Sequence, residues 1–340
     1  MSEFISSSPT LEDYWRGIIL LGRNVASYKF ALAKSLLELS PAGGDLLLLN
    51  DLSPVFANHI CEHLKSADKQ GTSSSSKFLE ECRKFNLGQL SETDLVTTTE
   101  KLGFVNVIDA FHRVGNDDVP SRFFVDERKE HKGIRITDEF SYLTEGDQIG
   151  NLPSEVDARW SLVEAAWEMK ISSSLVSIDF DPIDERLYRP DSKLRRKSVT
   201  STRDALNGYQ KGQCFYCYDL VSLDGEIETT PDVDHFHAHM LKQFDFRGVD
   251  GVWNLVLSCK DCNRGPGGKF EKLPGLKYLE RLNTRNEYLI SSNHPLRETL
   301  IQQTGKTSQE RRTFLNDYYN DAWKILIHTW DPEPKGTPRF

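Results

Sequence analysis

The sequence predicts an α+β protein: a mainly helical domain over residues 1–190, a small module with short strands over 191–283, and closing helices over 284–340. Three observations carry this. Apolar residues recur at helical intervals through most of the first half. After residue 200 the apolar runs become short and rich in β-branched and aromatic residues. Four of the six cysteines stand in two Cys-x-x-Cys pairs, Cys214/Cys217 and Cys259/Cys262.

The elements follow in order. Thr10 with Asp13 imitates a capping box. Beyond it Tyr14, Trp15, Ile18, Ile19, Val25, Tyr28, Leu32, Leu36 and Leu39 keep helical spacing until "SPAGG" interrupts. "DLSPVFANHICEHLKSA", "SSSSKFLEECRKF", "SETDLVTTTEKLGF" and "PSEVDARWSLVEAAWEM" predict further helices, and residues 104–150 have room for one or two strands. Trp160 and Trp167, seven apart, read as core. "DFDPIDERLYRPDSKLRRKS" at 179–198 combines prolines with charge and little periodicity, which predicts a linker and a domain boundary. Then "TSTRDALNGYQKG" predicts a short helix feeding "CFYC". "PDVDHFHAHM" and "GVWNLVLSC" predict strands, and "GLKYLERLNTRNEYLI" and "SQERRTFLNDYYNDAWKILI" predict the closing helices.

Composition narrows the function. The net charge is −9, but acidic residues crowd residues 1–192 while 193–285 carries a small basic excess. That asymmetry suggests a polyanionic partner for the second part and an interaction or regulatory role for the acidic first. No apolar run approaches the roughly 18 residues a membrane helix needs. The N-terminus lacks a signal-peptide pattern, so cytoplasmic residence without membrane insertion is expected.

Two Cys-x-x-Cys knuckles complete the tetrahedral thiolate cage that zinc prefers. The 41 residues between the pairs require a substantial element in the interval. The competing reading is redox chemistry, in which one such motif opens a helix of a βαβ unit. The presence of two pairs and the lack of that pattern favour the cage. Cys61 and Cys82 read as buried apolar thiols.

The interval contains "DHFHAH" at 234–239, which concentrates three of the nine histidines. In an extended strand His235, His237 and His239 would share one face and Asp234 the other. Asp-His on a strand, a central Asn-Leu in "NLVLSC", and Cys-x-x-Cys-Asn leading into a helix together resemble the HNH nucleases, the ββα-metal endonucleases. The likeness covers about residues 205–275.

That resemblance implies a role for each matching position. Asp234 matches the carboxylate that binds the catalytic Mg²⁺ or Mn²⁺, and Asn263 matches the second metal ligand. His235 matches the general base. Asn254 matches the asparagine that pins the loop between the strands. The set is of the H-N-N subtype, with Ala238 where the family often has proline. The chemistry is consistent, because a phosphodiester needs a cation beside its developing charge and a histidine can be neutral and basic at cellular pH.

Phosphate contacts are open to His239, Arg264 and Lys269, while His239 or His237 is either a third metal ligand, a phosphate contact or part of a solvated or hydrogen-bonded strand face. The glycines of "NRGPGGK" at 263–269 either admit a phosphate or make a flexible tip. "KLRRK" at 193–197 either tracks a DNA backbone or is a solvated linker. The implied activity is metal-dependent hydrolysis of double-stranded DNA, leaving 5′-phosphate and 3′-hydroxyl ends. A single constellation should cut one strand per encounter, as a nickase. A lone HNH module beside an acidic helical domain looks like an anti-phage defence effector, similar to the nuclease subunits of Zorya or Septu systems, with protein partners of its own. The alternatives are a nuclease-like DNA-binding module active only with a partner, and a zinc peptidase at "HICEH" (59–63), where His59 and His63 would bind metal beside Glu62.

Overall fold

In a computed structural model of the protein, Thr10 and Asp13 do cap the first helix reciprocally. The Thr10 N–H donates to Asp13 Oδ2 at 3.0 Å, and the Asp13 N–H donates to Thr10 Oγ1 at 3.3 Å. The structure describes residues 9–21, 26–71, 76–114, 117–168, 178–182, 184–190, 196–223, 230–292 and 294–340. It is α+β, with many helices and sheets of only two or three strands. The chain forms two compact units, Ser8–Lys170 and Ile171–Phe340.

The N-terminal unit contains α1 (Leu11–Leu21), α2 (Tyr28–Leu39), β1 (Leu46–Leu48), α3 (Leu49–Ser66), α4 (Lys77–Asn86) and α5 (Glu92–Thr98). A π-helical turn, a short α6 (Val107–Ala110) and the two-residue strands β2 (Arg113–Val114) and β3 (Asp117–Asp118) follow. Then come β4 (Phe124–Glu127), α7 (Arg128–His131), β5 (Gly133–Ile136), α8 (Asp138–Thr144) and α9 (Leu152–Glu168). The strands β1, β5 and β4 form one antiparallel sheet with β5 in the middle. Helix α3 packs against α2, α4 and α5, and α9 packs against α2. The apolar faces meet in a core that includes Trp15, Phe30, Phe56, Phe140 and Trp160. Trp167 also belongs to this core, and Cys61 and Cys82 are buried within it. Across the core Arg16 of α1 makes a bidentate pair with Glu155 of α9, at 2.8 Å for each bond.

The C-terminal unit begins earlier than expected. The stretch read as a linker carries β6 (Asp179–Asp181), β7 (Arg186–Pro190) and β8 (Arg196–Ser201), an antiparallel sheet in that order. The boundary therefore falls near residue 170, before this sheet, and not at 190. Short, charged strands carry no alternating apolar pattern, which is why periodicity missed them. Most of "KLRRK" lies outside the described residues.

Helix α10 (Thr202–Gln210) leads to the first knuckle. β9 (Asp232–His235) pairs antiparallel with β10 (Leu255–Ser258), His235 opposite Leu255 and Asp234 opposite Val256. β10 runs through Cys259 into α11 (Lys260–Arg264). Then follow β11 (Leu273–Pro274), α12 (Leu276–Ser291), α13 (Arg297–Thr304), α14 (Ser308–Leu326) and β12 (Thr329–Trp330), which pairs parallel with β11. The Gln210 side chain clamps α10 to β10: its Oε1 accepts the Leu257 N–H at 2.7 Å and its Nε2 donates to the Leu257 carbonyl at 2.8 Å. From α12, Arg285 and Asn286 donate to the Trp253 carbonyl, so the closing helices hold the turn just before Asn254. The segment after β12 returns to the first knuckle, where the Lys335 and Gly336 N–H groups both donate to the Cys217 carbonyl. A Cβ at Gly336 would lie 2.1 Å from the Tyr218 carbonyl oxygen, so only glycine allows this approach.

Candidate metal centre and active site

The two knuckles meet because both are tied to β10. Cys214–Cys217 form a tight turn closed by Tyr218 in the left-handed region (φ 66°), and the Phe215 N–H donates to the Leu257 carbonyl. Cys259 and Cys262 flank the first turn of α11. The four buried sulfurs lie within 4.8 Å of one another, with Cys217 and Cys259 at 3.7 Å. Four thiolates each ~2.3 Å from a tetrahedral centre stand about 3.8 Å apart, whereas a disulfide brings sulfurs to about 2.05 Å. The cluster thus fits a metal ion such as zinc and not a pair of disulfides. Burial opposes ionisation of Cys214, but hydrogen bonding with the other three brings its thiol well below the usual range. Hydrogen bonding with Cys214 drives the Cys217 and Cys262 thiols up. Touching sulfurs cannot all ionise unaided, and a divalent cation between them removes the conflict.

On the neighbouring hairpin, Asp234, His235, His239, Asn263 and Lys269 line one cleft of about 410 Å³. Asp234 is buried. Its Oδ2 accepts the Tyr216 hydroxyl at 2.7 Å, and its Oδ1 lies 3.1 Å from Lys269 Nζ. Burial raises the Asp234 pKa against the opposing pull of Lys269 and Tyr216. His235 places Nε2 3.1 Å from Asp250 Oδ1. Burial pushes its pKa down to about 4, although Asp250 works against this, so the ring is neutral at cellular pH.

Asn254 is fully buried and knits the loop. Its Oδ1 accepts the His237 N–H at 2.8 Å, and its Nδ2 donates to the carbonyls of His237 (3.0 Å) and Val249 (2.9 Å). These bonds end the strand at His235. The three histidines therefore do not share a face, because β9 stops before the second of them. His237 is fully buried against Trp253 and Tyr318, and burial lowers its pKa to about 3. His239 is half exposed at the start of a 3₁₀ turn, with Nε2 3.4 Å from Asp250 Oδ1.

The remaining expected residues have definite partners. Asn263 Nδ2 donates to Asp232 Oδ2 at 3.0 Å, and the Arg264 guanidinium pairs with the same carboxylate. Lys269, expected at a phosphate, is instead 1% exposed, and its ammonium also donates to the His235 carbonyl at 3.0 Å. Two of the glycines before it permit a close turn. A Cβ at Gly265 or Gly268 would lie 2.7–2.8 Å from Asp261 backbone atoms, so they allow the tight turn that delivers Lys269 into the cleft. Sequence reasoning missed Tyr216, Asp232 and Asp250. The only signal for Tyr216 was its place inside the knuckle, and Asp250 had none.

In the N-terminal unit, the residues of "HICEH" are engaged elsewhere. His59 Nε2 lies 2.9 Å from Glu38 Oε2 and His63 Nδ1 lies 2.8 Å from Glu164 Oε1, while exposed Glu62 pairs with Lys65. Among the described residues, the four cysteines are the one group of three or more His, Cys, Asp or Glu close enough together to hold a metal. No helix among them is long and apolar enough to cross a membrane.

No family model, curated protein or solved structure matches this chain.

Proposed function

We propose that the C-terminal unit is a metal-dependent DNA endonuclease of the HNH type that nicks one strand per encounter. The observation that carries the reading is the convergence on one cleft of a neutral histidine, a buried carboxylate and an asparagine, beside a four-cysteine cluster that anchors the same hairpin and helix. The small sheet, the loop knitted by Asn254 and the helix beginning after Cys259 support it further. We place the activity in anti-phage defence on the resemblance to Zorya and Septu nuclease subunits.

The roles follow from the contacts. The Asp250 carboxylate can only accept a hydrogen bond, so His235 carries its proton on Nε2 and presents Nδ1 as the base. That nitrogen takes a proton as water attacks phosphorus and the P–O3′ bond breaks, and the leaving oxygen takes its proton from solvent. Asn254 keeps the base in position. Asp234 and Asn263 line the same cleft and would hold a divalent cation there with hard oxygens once Lys269 leaves Asp234 Oδ1. Bound there, Mg²⁺ or Mn²⁺ would neutralise charge on the phosphate. Zinc is the metal we assign to the cysteines.

One contact favours the second reading, a module that binds DNA but cuts only with a partner: the Lys269 ammonium already lies against Asp234 Oδ1. Incubating the protein with supercoiled plasmid and Mg²⁺ or Mn²⁺ should yield open circles before linear DNA. His235→Ala should slow this at least about 100-fold with zinc retained. A lack of cleavage with every metal would favour the conditional module, and an undiminished His235→Ala rate would remove His235 as the base.

A further inference from the structure

A second cavity in the C-terminal unit, of about 850 Å³, shares no lining residue with the cleft at Asp234. Its wall includes Tyr209, Tyr218, Tyr278, Arg281, Asn283 and Phe340. Arg281 is the unusual member. Its guanidinium carbon lies 3.9 Å from the Tyr218 ring centroid and 4.0 Å from that of Phe340, so aromatic rings cover the cation. Nε, Nη1 and Nη2 are all buried, and none has a hydrogen-bond partner among the described residues. Among the described residues no carboxylate pairs with it, and burial lowers its pKa.

Ring faces stabilise the cation by about 0.5–2 kcal/mol, but they leave its in-plane N–H groups unsatisfied. Leaving buried charged donors without acceptors is strongly unfavourable, and such groups in folded proteins call for a partner. The fork of a guanidinium matches the oxygens of a phosphate or carboxylate. Three further features decide between them. The cavity falls within the size range of small-molecule sites, roughly 300–1,000 Å³, and exceeds what a lone anion fills. Tyrosine rings line it and offer stacking faces. Asn283 Oδ1, also buried and without a partner among the described residues, can accept an N–H.

We infer that this cavity binds a nucleoside phosphate, its phosphate on Arg281, its base against the tyrosines and an amino or imino edge toward Asn283. Lys277 at the rim, paired with Asp331 at 3.0 Å, adds a second cation near the phosphate. The inference is independent of the nuclease reading, because binding is read by calorimetry without cleavage or added divalent cation.

Calorimetry with AMP, GMP, CMP and UMP tests it, with inorganic phosphate and adenosine as half-ligands and a 5′-phosphorylated oligonucleotide as the alternative source. At least one mononucleotide should bind at least tenfold more tightly than either half-ligand. Arg281→Met should weaken that binding at least tenfold while retaining zinc. Tighter binding of the oligonucleotide than of any mononucleotide, lost in the same variant, would keep the site and identify a strand end as its source. Absence of binding by all nucleotide probes at millimolar concentration would overturn the inference. So would equal affinity for phosphate and nucleotide, or an Arg281→Met protein that binds unchanged. If Arg281→Met fails to fold, exposed Lys277→Glu decides: a fivefold or greater loss of affinity supports the site, and an unchanged affinity overturns it.

Discussion

In the N-terminal unit Arg16 is closed by Glu155, His63 by Glu164, and Lys34 by Asp157. In the C-terminal unit Lys269 and Asp234 face a cleft, Arg281 has rings but no acceptor, and His237 keeps a buried Nε2 without a partner among the described residues. These three charges of the first unit are paired internally, beside a contiguous aromatic core. The second leaves buried polar groups beside cavities and is anchored by four thiols. A folded region tolerates incompletely paired charge only if other interactions hold it together, and the groups left open are where chemistry is expected. By that contrast, the first unit reads as scaffold and the second as the site of ligands.

The largest test removes what anchors the second unit. Cys259→Ser should lower zinc from about one ion per chain to none and unfold that unit while the helical unit stays folded. Structural zinc contributes roughly 10–16 kcal/mol of apparent binding energy. Elemental analysis showing retained zinc would refute the cage.

Glu155→Gln attacks the first unit instead. It removes the ion-pair partner of buried Arg16, leaving only the weaker pull of Asp13 and Glu12, and should destabilise by about 3–5 kcal/mol. Thermal melts should show the helical unit failing at normal zinc content. A loss of zinc in this variant would mean that the two units are not held separately.

A third test uses pH. His112 is buried and its Nε2 accepts the Phe123 N–H, so the ring is held neutral. Burial first, then Arg122 and Lys29 and against Asp118, lowers its pKa from 6.5 to about 4. The unfolded chain binds this proton more readily, so the contribution is full above 6.5 and is lost as pH falls toward 4. The effect should be on the order of 3 kcal/mol. Urea midpoints measured across that window should slope in wild type and flatten in His112→Gln.

The smallest effect is expected from His59→Ala. Its contact with the half-exposed Glu38 should contribute about 0–1 kcal/mol and leave DNA cleavage unchanged. Peptidase activity lost in that variant would restore "HICEH" as a catalytic motif.

Much of this was legible in the sequence where the signal is local. The Thr10–Asp13 cap, the helices around Ile60 and Trp160, and the two knuckles follow from short spacings, and the structure contains them. The Asp234–His235 strand was legible too, but its end was not. Asn254, nearly twenty residues away, decides where the strand stops, and so sends His237 inward and leaves His239 half exposed. The sheet at 179–201 was hidden because its buried apolar pair, Phe180 opposite Leu187, is too short a run to show periodicity. Asp250 and the burial of Lys269 arise from loop closure, which residue type alone does not encode.

The return of Lys335 and Gly336 to Cys217 also bears on the order of synthesis. More than a hundred residues separate these partners along the chain. A ribosome releases both knuckles well before it releases the segment that closes over the first of them. The C-terminal unit therefore cannot complete its packing during translation of its own strands, and the N-terminal unit has a full set of partners long before. A chain truncated after α14 would retain every residue assigned here to the cleft and the thiol cluster, yet lack the backbone donors that close the first knuckle. Whatever the unit does in the cell, translation through Gly336 is a condition of its finished form.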